Sequence, residues 1–352
     1  PAGFGLIFLP FIGALQRALK ATGIDSDIFA DVAPNPKDTN ITSARKMYRQ
    51  GGHDAVIAIG GGSGMDAGKA TALTANNDCD VWEFDFDREN PVLPVGHEFP
   101  KLICIPTTAG TGAETESTAM ITHTEREMKL CVWHMDLTPS LTLLDPEITI
   151  GLPATLTAWT GIDAMVHAIE AYCVPDFHPM CDGIALEALA LIGQWLPCAV
   201  EEPGSVTARG GMQIGACLAG VSFLKGLGMV HAISHMVGAE FDTHHGLTNA
   251  IVLPTVLRFN APAISHKLPA LSRALGLENA DFASFDAAIC QMLDRLDIPR
   301  LGSAQPAVDR AAARRRGALR RPQGGRLAGR ALAAAPSAPV LLGVREFQRA
   351  RL

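Results

Sequence analysis

The sequence predicts an α/β N-terminal half with a mostly parallel sheet, followed by an all-α C-terminal half. Three observations carry this. Two short apolar runs, residues 54–59 and 102–105, each stop at a glycine- or threonine-rich turn, the pattern of strands buried on both faces. Helical periodicity alternates with such strand-like pieces as far as Asp145-Pro146. Beyond that point long Ala/Leu/Ile-rich helical patterns fill residues 156–296, with little strand signal. The expected divisions are 1–150 for the α/β half, 151–300 for the helical half, and 301–352 for a tail of different composition.

Taken in order, residues 10–22 read as an amphipathic helix ending near Gly23, residues 26–32 as a strand, and Pro34-Asn35-Pro36 as a turn. Residues 41–50 suggest a helix. The strand at 54–59 runs straight into Gly60-Gly61-Gly62-Ser63, and a helix follows at 65–74. The strand at 102–105 ends at Pro106-Thr107-Thr108. Further strand-like pieces lie at 119–122, 129–133 and 141–144. Alternating strands and helices imply a ligand crevice at the strands' carboxyl ends. The junction between two such halves is a common place for a small-molecule site. No internal repeat is evident.

The 352 residues are 48% hydrophobic and 18% charged, which excludes global disorder. No stretch reaches the roughly 18 uncharged apolar residues of a membrane span. The apolar opening, residues 3–15, is too short for one and lacks a basic start and a small-residue cleavage site, so no signal peptide is expected. The expected compartment is the cytoplasm, without a membrane partner. The eight cysteines are scattered, several inside apolar runs, and form no CxxC pair; they read as reduced core residues. Charge is uneven. Eleven arginines against Asp309 and Glu346 leave the tail at +9, and with −7 overall the first 300 residues carry −16.

A buried strand, then glycines, then a helix puts backbone N–H groups and a helix N-terminus against a phosphate. Gly60-Gly61-Gly62-Ser63 has that form; a plain tight turn is the other reading. It is not a Walker A loop, because Gly68-Lys69 is followed by Ala70, and it is a marginal Rossmann fingerprint as Gly62-x-Gly64-x-x-Ala67. Glu83 and Asp85 fall roughly 20 residues on, but no strand clearly presents them. The hydroxyls of Pro106-Thr107-Thr108-Ala109-Gly110-Thr111-Gly112 suit sugar and phosphate hydrogen bonds, or a helix N-cap. The histidines say more. Asp163 and His167 are four apart on one helical face, His231 and His235 repeat the spacing, and His245 follows ten residues later. A carboxylate plus imidazoles is a usual ligand set for Zn2+ or Fe2+; a hydrogen-bonded core histidine is the alternative for any one of them.

Together these segments resemble the iron-containing (group III) alcohol dehydrogenase family, over about residues 1–299. The resemblance implies an N-terminal dinucleotide domain and a C-terminal helical metal domain. It maps the metal ligands to Asp163, His167, His231 and His245, and makes His235 a non-ligand near the nicotinamide that could relay a proton. It places Asn35, Gly61, Gly62, Ser63, Asp66, Thr107, Thr108, Thr111 and Lys129 around the dinucleotide. The implied cofactors are NAD, or NADP, and Fe2+, or Zn2+. The implied substrate is a small alcohol or aldehyde, and the implied assembly a homodimer or higher homo-oligomer. Two features depart from the family. Its members normally begin with some 35–45 further residues holding the first strands, including an acid that often selects NAD over NADP. The tail from Leu301 is Ala- and Arg-rich instead of the usual polar helical ending, and reads as a GC-rich frame shifted by a nucleotide. Three alternatives stand beside this reading. One is a glycerol-dehydrogenase-like or dehydroquinate-synthase-like enzyme with an Asp-His-His zinc site. Another is an inactive truncated member. The last is a nucleic-acid binder using the tail, which the −16 body and the lack of interleaved aromatics oppose.

Overall fold

A computed structural model describes residues 10–241 and 243–300; the Arg-rich tail lies outside the described residues. Three strands form a parallel sheet in the order β1 (Ala55–Gly60), β2 (Lys101–Pro106), β5 (Leu141–Thr142). β1 and β2 run in register from Ala55↔Lys101 to Gly60↔Pro106, so their carboxyl ends finish side by side. The last strand is shorter than the run expected at 141–144. Strands β3 (Thr118–His123) and β4 (Met128–Trp133) do not join that sheet. They pair antiparallel as a separate ribbon. The four residues between them suffice for a hairpin, with Glu127 at φ 51, but not for the crossover a parallel pair needs.

The first described helix is α1 (Pro10–Ala21). The strand expected at 26–32 does not form. Its backbone groups bond locally and to side chains: Val32 N donates to Ala30 O at 2.9 Å, and Asn40 Nδ2 donates to Asp31 O at 2.8 Å. Among the described residues no strand neighbours it, so its alternating apolar residues gain no sheet face there, and Ile28 stays exposed. α2 (Asp38–Gly51) ends at Gly52 in the left-handed region, φ 64, where glycine carries no Cβ penalty. α3 (Gly62–Thr74) lies directly on β1; a Cβ on Gly68 would come within 2.5 Å of Ala58 Cβ, so glycine sets the close approach. Met65, Ala72, Leu102 and Cys104 fill the space between α3 and the sheet, and Ile41, Leu73, Phe84, Ile121 and Val132 form a second cluster toward the ribbon.

The remaining helices are α4 (Ala154–Cys173), α5 (Pro179–Glu201), α6 (Val206–Ser222), α7 (Met229–Phe241), α8 (His245–Ile264), α9 (Leu268–Ala274) and α10 (Phe282–Arg295). α4 is buried nearly all round, with α5, α6 and α8 packed against it. Its Ile162, Met165, Val166 and Ile169 join Leu189, Ile192, Leu196, Met212 and Leu253 in the largest core. Each such side chain contributes about 1.5–3 kcal/mol on burial. A helix apolar on every face must sit inside, and this is where the two acid–imidazole positions of α4 also lie. By length and composition α5 could cross a membrane. It carries Asp182 and Glu187, and its Ala188, Leu189, Ile192 and Leu196 belong to the core.

Candidate metal centre and cofactor loops

Asp163 and His167 project from one face of α4, His231 from the first turn of α7, and His245 from the first residue of α8. One ligand atom from each of the four lies within 4.8 Å of the others. From Asp163 Oδ1 the Nε2 atoms of His245, His231 and His167 are 3.5, 3.8 and 4.0 Å away. Glycine permits this convergence: a Cβ on Gly246 would stand 2.4 Å from Trp159 O and 3.3 Å from Asp163 Cβ, so α8 can begin against α4.

The surroundings fix the imidazole tautomers. His231 Nδ1 pairs with Glu170 Oε2 at 2.7 Å, and Glu170 also accepts from Val230 N at 2.7 Å. His245 Nδ1 lies 3.0 Å from Ser234 Oγ. The Nε2 lone pairs are thereby turned toward Asp163, the arrangement in which an outer carboxylate or hydroxyl orients a ligating ring. The Gly110 carbonyl faces His167 without closing a well-aligned hydrogen bond. The Phe223 ring packs on His167 at 4.8 Å, and the His167 and His231 rings stack at 4.6 Å.

Electrostatics favour a cation here. Burial raises the Asp163 pKa, but the three imidazoles and Asn249 more than offset it and bring it down to about 2. Burial lowers His167 to about 3 and His245 to about 4, against the pull of Asp163. Burial also works against charged His231, yet Glu170 holds its pKa above the ordinary value. One ionised carboxylate facing buried imidazole nitrogens suits Fe2+ or Zn2+ by donor chemistry. The residues therefore fit such an ion.

His235, expected beside the site as a non-ligand, stands just outside the cluster. Its ring stacks on His245 at 5.2 Å and lies 6.1 Å from His231. Burial, then His245, His231 and Lys129, lower its pKa to about 3.

The residues expected around a dinucleotide gather at the carboxyl ends of β1 and β2. Gly61 precedes the first residue of α3, Gly62. A Cβ on Gly61 would meet Thr108 Cγ2 at 3.3 Å, and one on Gly62 would meet Thr111 Cγ2 at 3.0 Å. Thr107 N donates to Gly60 O at 2.9 Å, which joins the two loops. Ser63 Oγ donates to Pro34 O, and Lys129 Nζ donates to Asn35 Oδ1 at 3.4 Å, bringing the Pro34-Asn35-Pro36 turn and the ribbon to the same place. Asp66 is one turn into α3. Burial raises its pKa, with Lys69 and Lys129 opposing. Glu83 and Asp85 serve local structure instead: Glu83 Oε1 accepts from Asp80 N at 2.7 Å in a capping box, and Asp85 Oδ1 accepts from Asp87 N at 3.1 Å.

The threonine loop also reaches the helical half. A Cβ on Gly110 would lie 2.6 Å from Thr160 Cβ, and one on Gly112 would lie 2.5 Å from Gly220 Cα. Gln213 Nε2 donates to Pro106 O at 3.2 Å. This contact places the metal-ligand cluster next to the glycine and threonine loops. A cavity of about 370 Å³ bounded by α2 and the ribbon, with Asp38, Arg45, Trp82 and His123 in its wall, contains none of these residues.

Sequence reasoning missed Glu170, Ser234 and Asn249. Two carried a readable signal. Glu170 is three residues after His167, and Asn249 four after His245, so each shares a helical face with a ligand.

The family model described as iron-containing alcohol dehydrogenase matches residues 5–146, and that described as Fe-containing alcohol dehydrogenase family, C-terminal, matches residues 157–303. The chain is 38% identical over 277 residues to an NAD-dependent methanol dehydrogenase of Bacillus methanolicus, covering 78% of this chain and 71% of that protein. The crystal structure of a 1,3-propanediol oxidoreductase superposes with a TM-score of 0.78 at 34% identity, over 84% of this chain and 78% of that one. A sulfoacetaldehyde reductase from Bifidobacterium kashiwanohense in complex with NAD+ gives 0.74 at 29% identity, over 83% and 77%.

Proposed function

This chain belongs to the iron-containing alcohol dehydrogenase family, and on that premise we propose that it transfers hydride reversibly between a small primary or secondary alcohol and NAD+, or NADP+. The observation that carries the reading is the convergence of Asp163, His167, His231 and His245 beside two loops at the ends of parallel strands. Fe2+ or Zn2+ held by those four residues supplies Lewis acidity to the substrate oxygen, and NAD(P)+ supplies the hydride acceptor. The assignment of residues 1–150 to the dinucleotide and 151–300 to the metal belongs to the same proposal.

Each residue then has a task. Gly61, Gly62 and the α3 N-terminus would hold the pyrophosphate, since bare backbone approaches an anion closely and the helix dipole favours it. Ser63 fixes the Pro34-Asn35-Pro36 turn against that loop, and Asn35 with Lys129 would close its other side. Thr107, Thr108 and Thr111 would meet the sugar and phosphate, and Asp66 the nicotinamide end. Glu170 and Ser234 hold the His231 and His245 rings so that their Nε2 atoms stay inward. His235, beside His245 and open to solvent, would take the proton released from the alcohol and pass it outward. Phe223 excludes water from one side of His167. Against the Asp-His-His zinc alternative, three imidazoles rather than two converge on Asp163.

The reading includes a homo-oligomer in the cytoplasm. Large exposed apolar side chains such as Phe177, at 93%, and Met236, at 71%, support association, and eight free cysteines support a reducing compartment. The experiment is an activity screen of short alcohols and diols with NAD+ and NADP+ after reconstitution with Fe2+ or Zn2+, run with two variants. His231→Ala is expected to lose metal and activity together. His235→Ala is expected to keep its metal and turn over roughly 10²–10⁴-fold more slowly. Metal at one per chain in His231→Ala, or metal loss in His235→Ala, contradicts the assignment.

A further inference from the structure

The link between α6 and α7, residues 223–228, meets the metal-ligand cluster at both ends. At its start the Phe223 ring packs on His167 at 4.8 Å. At its end it delivers the chain to Val230 and His231, both bonded to Glu170. Its middle holds a buried cation. The Lys225 side chain is 1% exposed and turns toward α4 and α5. Its Nζ donates to Asp182 Oδ1 in the first turn of α5 and lies 3.5 Å from the Tyr172 carbonyl in the last turn of α4. Both surroundings suit it, since the carbonyls at a helix C-terminus carry partial negative charge and a carboxylate is favoured at a helix N-terminus.

A side chain that only filled this space would need no charge. A buried ion pair costs desolvation that a well-packed apolar residue avoids, but it closes in one arrangement where an apolar residue can settle in several. The link has reason to need that. Gly226 sits at φ 129, ψ 164, a conformation that side chains rarely adopt, and a Cβ on Gly228 would stand 2.7 Å from Glu170 Oε1. Two glycines in six residues leave the backbone free to move unless something holds it. We propose that Lys225 is a positioning residue of the metal centre: its ion pair with Asp182 and its place at the end of α4 pin the 223–228 link, so that Phe223 stays on His167 and α7 begins with His231 facing Asp163. Glu170 and Tyr172 both belong to α4, so that helix holds the link at two points and α5 supplies a third. The inference rests on the metal-site reading above, and Lys225 acts only through the link.

The test uses the full chain with Lys225→Met, Asp182→Asn and the double variant. It measures Zn2+ and Co2+ dissociation constants by competition with a chromogenic chelator, the visible absorption of the Co2+ form, and the melting temperature. Groups that orient a ligand directly are worth roughly 10–100-fold in metal affinity, and Lys225 acts one step further out, so each single variant is expected to bind about tenfold more weakly, with shifted Co2+ bands. Because the pair works as a unit, the double variant is expected to lose no more than the weaker-binding single variant. A support with no part in positioning would lower the melting temperature and leave the folded protein's affinity and spectrum like the parent's. That result in Lys225→Met overturns the inference, and so do losses that add in the double variant. If Lys225→Met fails to fold, Asp182→Asn decides alone: about tenfold weaker binding upholds the inference, and parent-like affinity and bands overturn it. Failure of the parent chain to bind either ion overturns the metal-site reading and this inference with it.

Discussion

Glu116 shows what a single buried group does to the whole. Burial pushes its pKa up to about 7; Lys69 and the 2.6 Å bond from Thr118 Oγ1 oppose the rise, and Asp66 and Glu114 add to it. Between about 4.5 and about 7 the folded chain therefore binds more protons at this site than the unfolded chain. Stability from Glu116 is highest below the unfolded value and is lost as pH rises through that window. A Glu116→Gln chain is expected to lose this slope, and to melt above the parent at pH 8, by an amount on the order of 1–3 kcal/mol. Melting curves of both chains between pH 4.5 and 8 check it; parallel profiles would refute it. At this scale the sequence was legible wherever chemistry left a spacing. Asp163 with His167, and His231 with His235, stood out because carboxylate and imidazole at helical intervals are uncommon in a core; that His245 and not His235 completes the ligand set came from the family resemblance. Asn249 and Glu170 carry the same spacing, but amide and carboxylate side chains on a helix have many ordinary uses. Only the distances of 2.6–3.2 Å about Asn249 Nδ2, and 2.7 Å at Glu170, distinguish them. Of the cysteines expected in the core, Cys104 and Cys181 are buried and the other six are half-buried; burial pushes Cys104 and Cys173 up to about 12.

Elements were legible in proportion to how local their cause is. β1 and β2 are apolar throughout and stop at loop residues, so their pattern alone marks them. The long helices of the second half announce themselves by length. The segment at 26–32 has a strand-like pattern too, but a strand requires a partner, and partners are not written in the segment itself. Likewise the ribbon of β3 and β4 was read as strands without its direction, which the short connection determines. Helix approach is another non-local property. Gly246 looks like any glycine in sequence, yet a Cβ there would stand 2.4 Å from Trp159 O, a backbone atom with little freedom to yield. Gly246→Ala is expected to push α8 from α4 and destabilise the chain by about 1–3 kcal/mol. Because His245 is the adjacent residue, metal affinity should fall alongside. A melting temperature and chelator competition like the parent's would show that α8 relaxes freely, and that close packing does not place His245.

At the scale of the whole molecule, two incomplete sites meet. The glycine and threonine loops come from the parallel strands, and the four metal-ligand candidates come from α4, α7 and α8. They are joined at Gly110 and Gly112, which lie against Thr160 and Gly220 so closely that neither position has room for a Cβ. Rigid contact of this kind holds the relative position of two halves, and a transferred hydride needs reacting atoms about 3–3.5 Å apart. Each half should nevertheless bind its own ligand through its own residues. Gly62→Val places a branched side chain where even a Cβ is 3.0 Å from Thr111 Cγ2, on the face turned to the proposed pyrophosphate. It should lose NAD+ affinity by tenfold or more while retaining one metal per chain. His167→Ala, inside α4 and touching those loops only at the Gly110 carbonyl, should lose metal and keep NAD+ binding. Both should be inactive, since binding either component alone brings no hydride within reach. Cofactor fluorescence titration, metal analysis and turnover on the same two proteins decide the matter. If His167→Ala also abolishes NAD+ binding in a folded chain, the cluster and the loops form one cooperative site, and the proposed division at residue 150 does not describe how the protein works.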